Sequence, residues 1–301
     1  MYIGRDCTID HNQTVKVNNA ELKYTVLGKG EPVLCIHGTN IADSLITPLQ
    51  FYPPLLEKYQ FISYYRAGYN GSTLEKDSLS ISEGAEHVKQ LLEHLGIEKA
   101  HIMAFSFGGV IGFQFLLSYP EMVHSAILLE PYLPRESPEA VEANVKAFER
   151  AMELFQSGDR LGAAQSYMVD VCGTSFLSAV DITNPLDVWE RVAVDANTAF
   201  TVDFPAISNW EFRMSRADEL VQEKPQMPIL AVMGLDSEAA MPGFRETQNF
   251  LLDWLPQAER AGIMNATHGM QSMNPVEIGQ AALAFLQKHS MVIKHKEHIV
   301  C

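Results

Sequence analysis

Cysteine is scarce, with four residues among 301. Cys7, Cys35, Cys172 and Cys301 are scattered without CxxC spacing, so no disulfide framework is expected, and Cys35 inside an apolar run reads as a buried thiol. Positive charge is also in deficit. Lys and Arg total 22 against 37 Asp and Glu, a formal charge of −15. That is the wrong sign for a phosphate-neutralising surface and argues against nucleic acid as a partner. No apolar run approaches the roughly 18 residues of a membrane helix, and MYIGRDCTIDHN carries acidic residues where a secretory leader would have its apolar stretch. A cytoplasmic protein without a membrane span is expected. His295 and His298 in the tail MVIKHKEHIVC have no further ligands near them and read as solvated, so no metal is implied.

What remains is ordinary globular composition, with 47 % hydrophobic and 20 % charged residues, enough to bury a full core without staples. VKVNNAELKYTVLG (15–28) alternates and breaks at Asn18-Asn19, which predicts a hairpin. VLCIHG (33–38), FISYY (61–65), HIMAFS (101–106) and AILLEP (126–131) are continuous short apolar runs, as in strands covered on both faces. Helical spacing over 80–95, with Ser80 or Ser82 as cap, and over 107–120 alternates with them. This predicts a doubly wound, mostly parallel α/β sheet. PYLPRESPEA then breaks the pattern, and residues 132–224 are mostly helical in period. The α/β pattern returns with PILAVMG (228–234), a helix near 244–254, a strand near 259–264 and a helix over 275–289. The expected organisation is a core of residues 1–131 and 225–290, an inserted helical cap over 132–224, and a tail, 291–301.

Ala104-Phe105-Ser106-Phe107-Gly108-Gly109 follows a strand and opens a helix, the setting a G-x-S-x-G nucleophile elbow requires. Ala104 and Gly108 keep the flanks small, so Ser106 would project from a tight corner. The helix start aims N–H groups and positive dipole at an oxyanion. A second donor is expected just after an earlier strand, where His37-Gly38-Thr39 stands; the amides of Thr39 and Phe107 form the expected pair. His37 itself is expected to shape the loop.

At these residues the chain resembles the α/β-hydrolase superfamily over most of residues 20–288. The HGT loop, Tyr65-Arg66-Ala67-Gly68-Tyr69-Asn70-Gly71-Ser72 (similar to R-G-x-G-x-S with one residue more), the AFSFGG elbow and SYPEMV occur in the superfamily's order. The resemblance implies a catalytic His in the loop after the last strand, where Asn265-Ala266-Thr267-His268-Gly269 stands. His has the pKa for taking and returning the serine proton near neutrality. His87, His94 and His101 fall on helix or strand and read as structural.

The acid departs from the common pattern. Many superfamily members carry G-x-x-D after the strand matching PILAVMG, whereas Gly234-Leu235-Asp236-Ser237 has Ser237 at the acidic place and Asp236 one residue early. Leu128-Leu129-Glu130-Pro131 offers another carboxylate at a strand's carboxyl end, and Pro131 biases Glu130 toward an extended backbone. Some members use a Glu after the sixth core strand, and the resemblance favours Glu130 over Asp236. Members that open epoxides or displace halide have Asp at the elbow; here it is Ser106. The implied activity is hydrolysis of a carboxylic ester or lactone through an acyl-enzyme, with a small-molecule substrate and no cofactor. A ligand receptor, or a lyase or cyclase using the same pocket, is the alternative. Trp189, Phe200, Phe204, Trp210 and Phe212 would give the cap a hydrophobic substrate surface or its own core. Met227, Met233, Met264, Met270 and Met273 are expected to pack.

Overall fold

A computed structural model describes residues 11–291. Cys7, Cys301, His295 and His298 lie outside the described residues. Eight strands form one sheet: β1 (Gln13–Val17), β2 (Ala20–Gly28), β3 (Glu31–Ile36), β4 (Tyr59–Tyr64), β5 (Ala100–Phe105), β6 (Val123–Leu129), β7 (Ile229–Gly234) and β8 (Ala258–Ile263). Their spatial order is β1-β2-β4-β3-β5-β6-β7-β8. From β4 across to β8 every pairing is parallel, and β2 runs opposite to both its neighbours. The hairpin turns at Asn18-Asn19 as its letters predict, with Asn19 at a φ of 58°.

Helices cover both faces. Connecting segments hold α1 (Thr47–Phe51) and α2 (Pro54–Lys58), then α3 (Ile81–His94) and α4 (Ser106–Ser118). Strand residues alternate between the two layers they help to bury. Leu34, Ile36, Ile102, Ala104, Ala126 and Leu128 pack with α3 and α4, whereas Val33, Cys35, Met103, Phe105, Ile127 and Leu129 face the opposite core. Each fully buried aliphatic side chain contributes about 1.5–3 kcal/mol, and the period of two turns that gain to both faces. Ser80 starts α3 by a reciprocal cap: Glu83 N–H donates to its Oγ at 3.2 Å, and its own N–H donates to Glu83 Oε2 at 2.9 Å.

Strand β6 begins at Val123, three residues before the apolar run AILLEP does. After Val123 come two polar residues, His124 and Ser125, and Ser125 is fully buried with its Oγ 2.7 Å from His101 Nδ1 on β5. Between β6 and β7 the chain is helical: α5 (Pro138–Gln156), α6 (Arg160–Cys172), α7 (Ser175–Thr183), α8 (Val188–Thr198), a π-helical turn Ala199–Asp203, α9 (Phe204–Asn209) and α10 (Ala217–Leu220). Ala163, Tyr167, Val192 and Phe200 of this segment share one apolar cluster with Ile41, Met233, Met241 and Phe244 from outside it. The remaining helices are α11 (Ser237–Ala240), α12 (Phe244–Trp254), α13 (Met270–Met273) and α14 (Pro275–Lys288). No helix among the described residues is long and apolar enough to cross a membrane.

Candidate active site

The corner between β5 and α4 concentrates the local strain. Phe105 is extended, with φ −120° and ψ 135°, and Ser106 follows at a φ of 52°. A non-glycine residue there costs on the order of 1–3 kcal/mol and needs surrounding structure to hold it. The packing explains which letters are allowed. A Cβ on Gly108 would stand 2.2 Å from the carbonyl oxygens of both Ile36 and His37, so the helix start lies directly against the end of β3. A Cβ on Gly38 would stand 2.9 Å from the Phe105 ring and 3.1 Å from Ser106 Cβ.

His268 lies in the loop between β8 and α13, 5 % exposed, with its imidazole between Phe244, stacked at 4.6 Å, and Phe105 at 4.8 Å. Its Nε2 is 2.8 Å from Ser106 Oγ, and its Nδ1 is 2.7 Å from Glu130 Oε2. A carboxylate accepts, so Nδ1 carries the proton and Nε2 is left to accept from the serine hydroxyl. Glu130 is 4 % exposed, and Gly234 N–H donates to its other oxygen, Oε1, at 2.9 Å. Its own N–H donates to Val232 O at 3.0 Å. Pro131 does not hold it extended, as the sequence leads one to expect: Glu130 has a φ of 39°. The N–H bond to β7 and the two bonds on the carboxylate hold that left-handed turn against the local preference. Asp236 is exposed at the start of α11, where its N–H donates to Ala266 O at 3.0 Å. Ser237 is fully buried beside Gly234, with no partner for its Oγ.

The HGT loop passes close to Ser106. His37 Nε2 accepts from Arg66 N–H at 2.9 Å and its Nδ1 is 2.7 Å from Gly38 O. Burial, with the Arg66 charge beside it, holds the His37 pKa well below the ordinary value, so the ring is neutral and holds the loop in shape. Thr39 and Ser106 share the wall of one small cavity. Phe107 stands in the first turn of α4, whose amides have no partner within the helix. His87, His94 and His101 are engaged elsewhere, with Asn18 O, Tyr24 Oη and the Ser125–Glu31 pair respectively. Among the described residues no group of three His, Cys, Asp or Glu side chains is placed to hold a metal ion.

The cavity over Ser106 measures about 40 Å³. Its walls include Tyr132, Tyr167, Met168 and Phe176, the last three from α6 and α7, together with the carboxamides of Asn40 and Gln271. Those two side chains are 3 % and 2 % exposed, and Asn40 Oδ1 and Gln271 Oε1 have no hydrogen-bond partner. None of the five insert aromatics singled out in the sequence reaches this cavity. Trp210 and Phe212 pack on Phe113 and Trp254, Phe200 and Phe204 on Phe148, and Trp189 bonds Asp181. Rings pack first on one another, and periodicity does not tell a cavity wall from a helix interface. Of the five methionines, Met227, Met233 and Met270 are buried and Met273 is half-buried, whereas Met264 is 56 % exposed. A wider groove of about 800 Å³ lies between the start of α3, the end of α4 and α9, and contains none of Ser106, Glu130 and His268.

A family model described as alpha/beta hydrolase fold matches residues 31–175. The uncharacterized hydrolase YcgS of Bacillus subtilis is 34 % identical over 119 residues, covering 38 % of this chain and 40 % of that protein. Epoxide hydrolase 1 of Caenorhabditis elegans is 24 % identical over 253 residues, covering 77 % of this chain and 59 % of the relative. The chain thus matches about two fifths to three fifths of the length of these relatives. Among solved structures, a thermophilic esterase from Thermogutta terrifontis superposes with a TM-score of 0.68 at 20 % identity, covering 92 % of this chain and all of the other. With the parallel sheet, the covering helices and the strand order described above, the chain has the α/β-hydrolase fold.

Proposed function

We propose that the protein is a serine hydrolase that cleaves a carboxylic ester or lactone through an acyl-enzyme. The observation that carries this reading is the unbroken relay from Glu130 Oε2 through His268 to Ser106 Oγ, at 2.7 and 2.8 Å. Ser106 Oγ attacks the carbonyl carbon while His268 Nε2 takes the hydroxyl proton. Glu130 keeps the proton on Nδ1 and stabilises the imidazolium. The amides of Thr39 and Phe107 bind the oxyanion. As the tetrahedral intermediate collapses, His268 returns the proton to the departing alkoxide and the acyl group stays on Ser106. Water, deprotonated by the same imidazole, then attacks the acyl-enzyme and releases the acid.

A serine at the elbow favours this acyl chemistry over epoxide opening, which in the superfamily uses an aspartate there. The cavity favours a short acyl group, since it measures only about 40 Å³. Asn40 and Gln271 offer acceptors to a hydroxyl or N–H on that group. The test is turnover of p-nitrophenyl acetate together with labelling by a fluorophosphonate. Both are expected in the wild type, with the label on Ser106, and both are lost in Ser106→Ala. A folded wild-type protein that does neither would leave a receptor or a lyase as the better reading.

A further inference from the structure

We infer that Asp203, supplied by the helical insert, is a positioning residue for the oxyanion-binding loop, acting through Arg66; this rests on the serine hydrolase reading above. Arg66 stands just after β4 and is 3 % exposed. Its Nε donates to His37 O and its Nη2 to Gly38 O, both at 3.1 Å. The chain has no cis peptide among its described residues, and in a trans peptide C=O and N–H point in opposite directions. Fixing the Gly38 carbonyl on Arg66 therefore turns the Thr39 N–H away from the arginine, to the side on which Thr39 lines the Ser106 cavity. The guanidinium also lies 4.5 Å from the centre of the Phe107 ring. One cation thus holds the Gly38 carbonyl, in the same peptide as the Thr39 amide, and lies over the ring of Phe107; Thr39 and Phe107 are the two residues whose amides are assigned to the oxyanion.

Asp203 determines where that cation sits. It is 2 % exposed and grips Arg66 with both oxygens, Oδ1 to Nη1 at 3.0 Å and Oδ2 to Nη2 at 2.7 Å. Oδ2 further accepts from Tyr69 Oη at 2.6 Å and from Thr39 Oγ1 at 3.0 Å, so the insert holds the oxyanion loop directly as well as through Arg66. The residue ends the π-helical turn Ala199–Asp203, and single π turns inside α-helices are frequent where a side chain must be re-aimed for function. Two neighbouring contacts seat this stretch on the loop after β4. Thr198 Oγ1 donates to Gly68 O at 2.7 Å, and Asn70 N–H donates to Asp195 Oδ1 at 3.0 Å. A buried ion pair adds little net stability over apolar packing, but its bidentate geometry fixes two groups in one arrangement. Here the fixed groups are the insert and the two loop carbonyls, and the seated insert sets the hole.

The experiment compares wild type with Asp203→Asn and Thr39→Val. It measures kcat and KM on p-nitrophenyl acetate, the affinity for a trifluoromethyl ketone that forms a hemiketal oxyanion, thermal unfolding, and hydrogen–deuterium exchange of residues 36–42. For folded Asp203→Asn, kcat is expected to fall about 10- to 100-fold while KM changes less than about threefold. Ketone affinity falls in proportion to kcat, and exchange in the loop speeds up. Thr39→Val keeps the ion pair and loses one donor to Asp203, so its kcat falls several-fold with little change in KM; it decides the matter if Asp203→Asn does not fold. Wild-type kcat and ketone affinity in a folded variant, or a loss confined to KM, overturns the inference while leaving the hydrolase reading intact. A wild-type protein that neither cleaves the ester nor binds the ketone defeats both.

Discussion

His268 and Glu130 are 138 positions apart in the chain and meet at 2.7 Å, with the second oxygen of the carboxylate held by the Gly234 amide. The relationship makes the acid testable independently of the reaction class. Glu130→Gln is expected to lower kcat by about a thousandfold or more, because the wrong tautomer of His268 is then favoured. Asp236→Asn, exposed and away from the imidazole, is expected to stay within about twofold of wild type. Steady-state kinetics on a chromogenic ester decides, and the reverse ranking would move the acid to the turn after β7.

The elbow allows a stability prediction. An added methyl on Gly108 meets two backbone carbonyl oxygens at 2.2 Å, neither of which can swing aside like a side chain. Gly108→Ala should destabilise by about 1–3 kcal/mol or more and remove most activity. A urea unfolding curve within about 0.5 kcal/mol of wild type would mean that the corner yields more easily than its packing implies.

Cavity size gives a substrate-length prediction. With Met168 in the wall of so small a space, kcat/KM on p-nitrophenyl esters should peak at the shortest acyl chains. Met168→Ala should shift the optimum to longer chains, at a stability cost of about 2–5 kcal/mol. An unchanged chain-length profile in the folded variant would place the acyl group elsewhere.

Burial pushes the Asp195 carboxyl up from 3.8 to about 7, against the pull of the Asn70 amide and of Arg66 and Arg191, with Asp43 adding to the rise. An acid whose folded value is raised binds its proton more tightly in the fold, so stability falls as pH rises from about 4 through about 7. Asp195→Asn keeps an oxygen for the Asn70 amide and cannot ionise. Its stability relative to wild type should therefore increase by about 2–3 kcal/mol between pH 5 and pH 8. Denaturant titrations at the two pH values test this, and a constant difference would refute it.

Much of the fold was legible because β3 through β7 are buried on both faces and so carry unbroken apolar letters such as VLCIHG and PILAVMG. The elbow was legible for a steric reason, since the turn tolerates only small neighbours at Ala104 and Gly108. The start of β6 was not, because the polar pair His124-Ser125 interrupts the apolar run until Ser125 is paired with His101 across the sheet. Nor was the left-handed backbone of Glu130, which long-range bonds impose against Pro131. The bond between Arg66 and Asp203 spans 137 positions, and nothing in either local sequence names the other. Phe105 and Phe244, which flank the imidazole, were hidden for the same reason: ring contacts between distant elements leave no periodic trace.

The single strand that runs against its neighbours, β2, turns the chain around at Gly28–Gly30 before the parallel register begins. The amino-terminal hairpin therefore hangs on the β4 edge, with β3 between β4 and the strand that carries the elbow. Mutational drift, tags or domain fusions on that flank would have to propagate through three strand pairings before disturbing Ser106, which makes it the natural place to attach reporters or surface anchors.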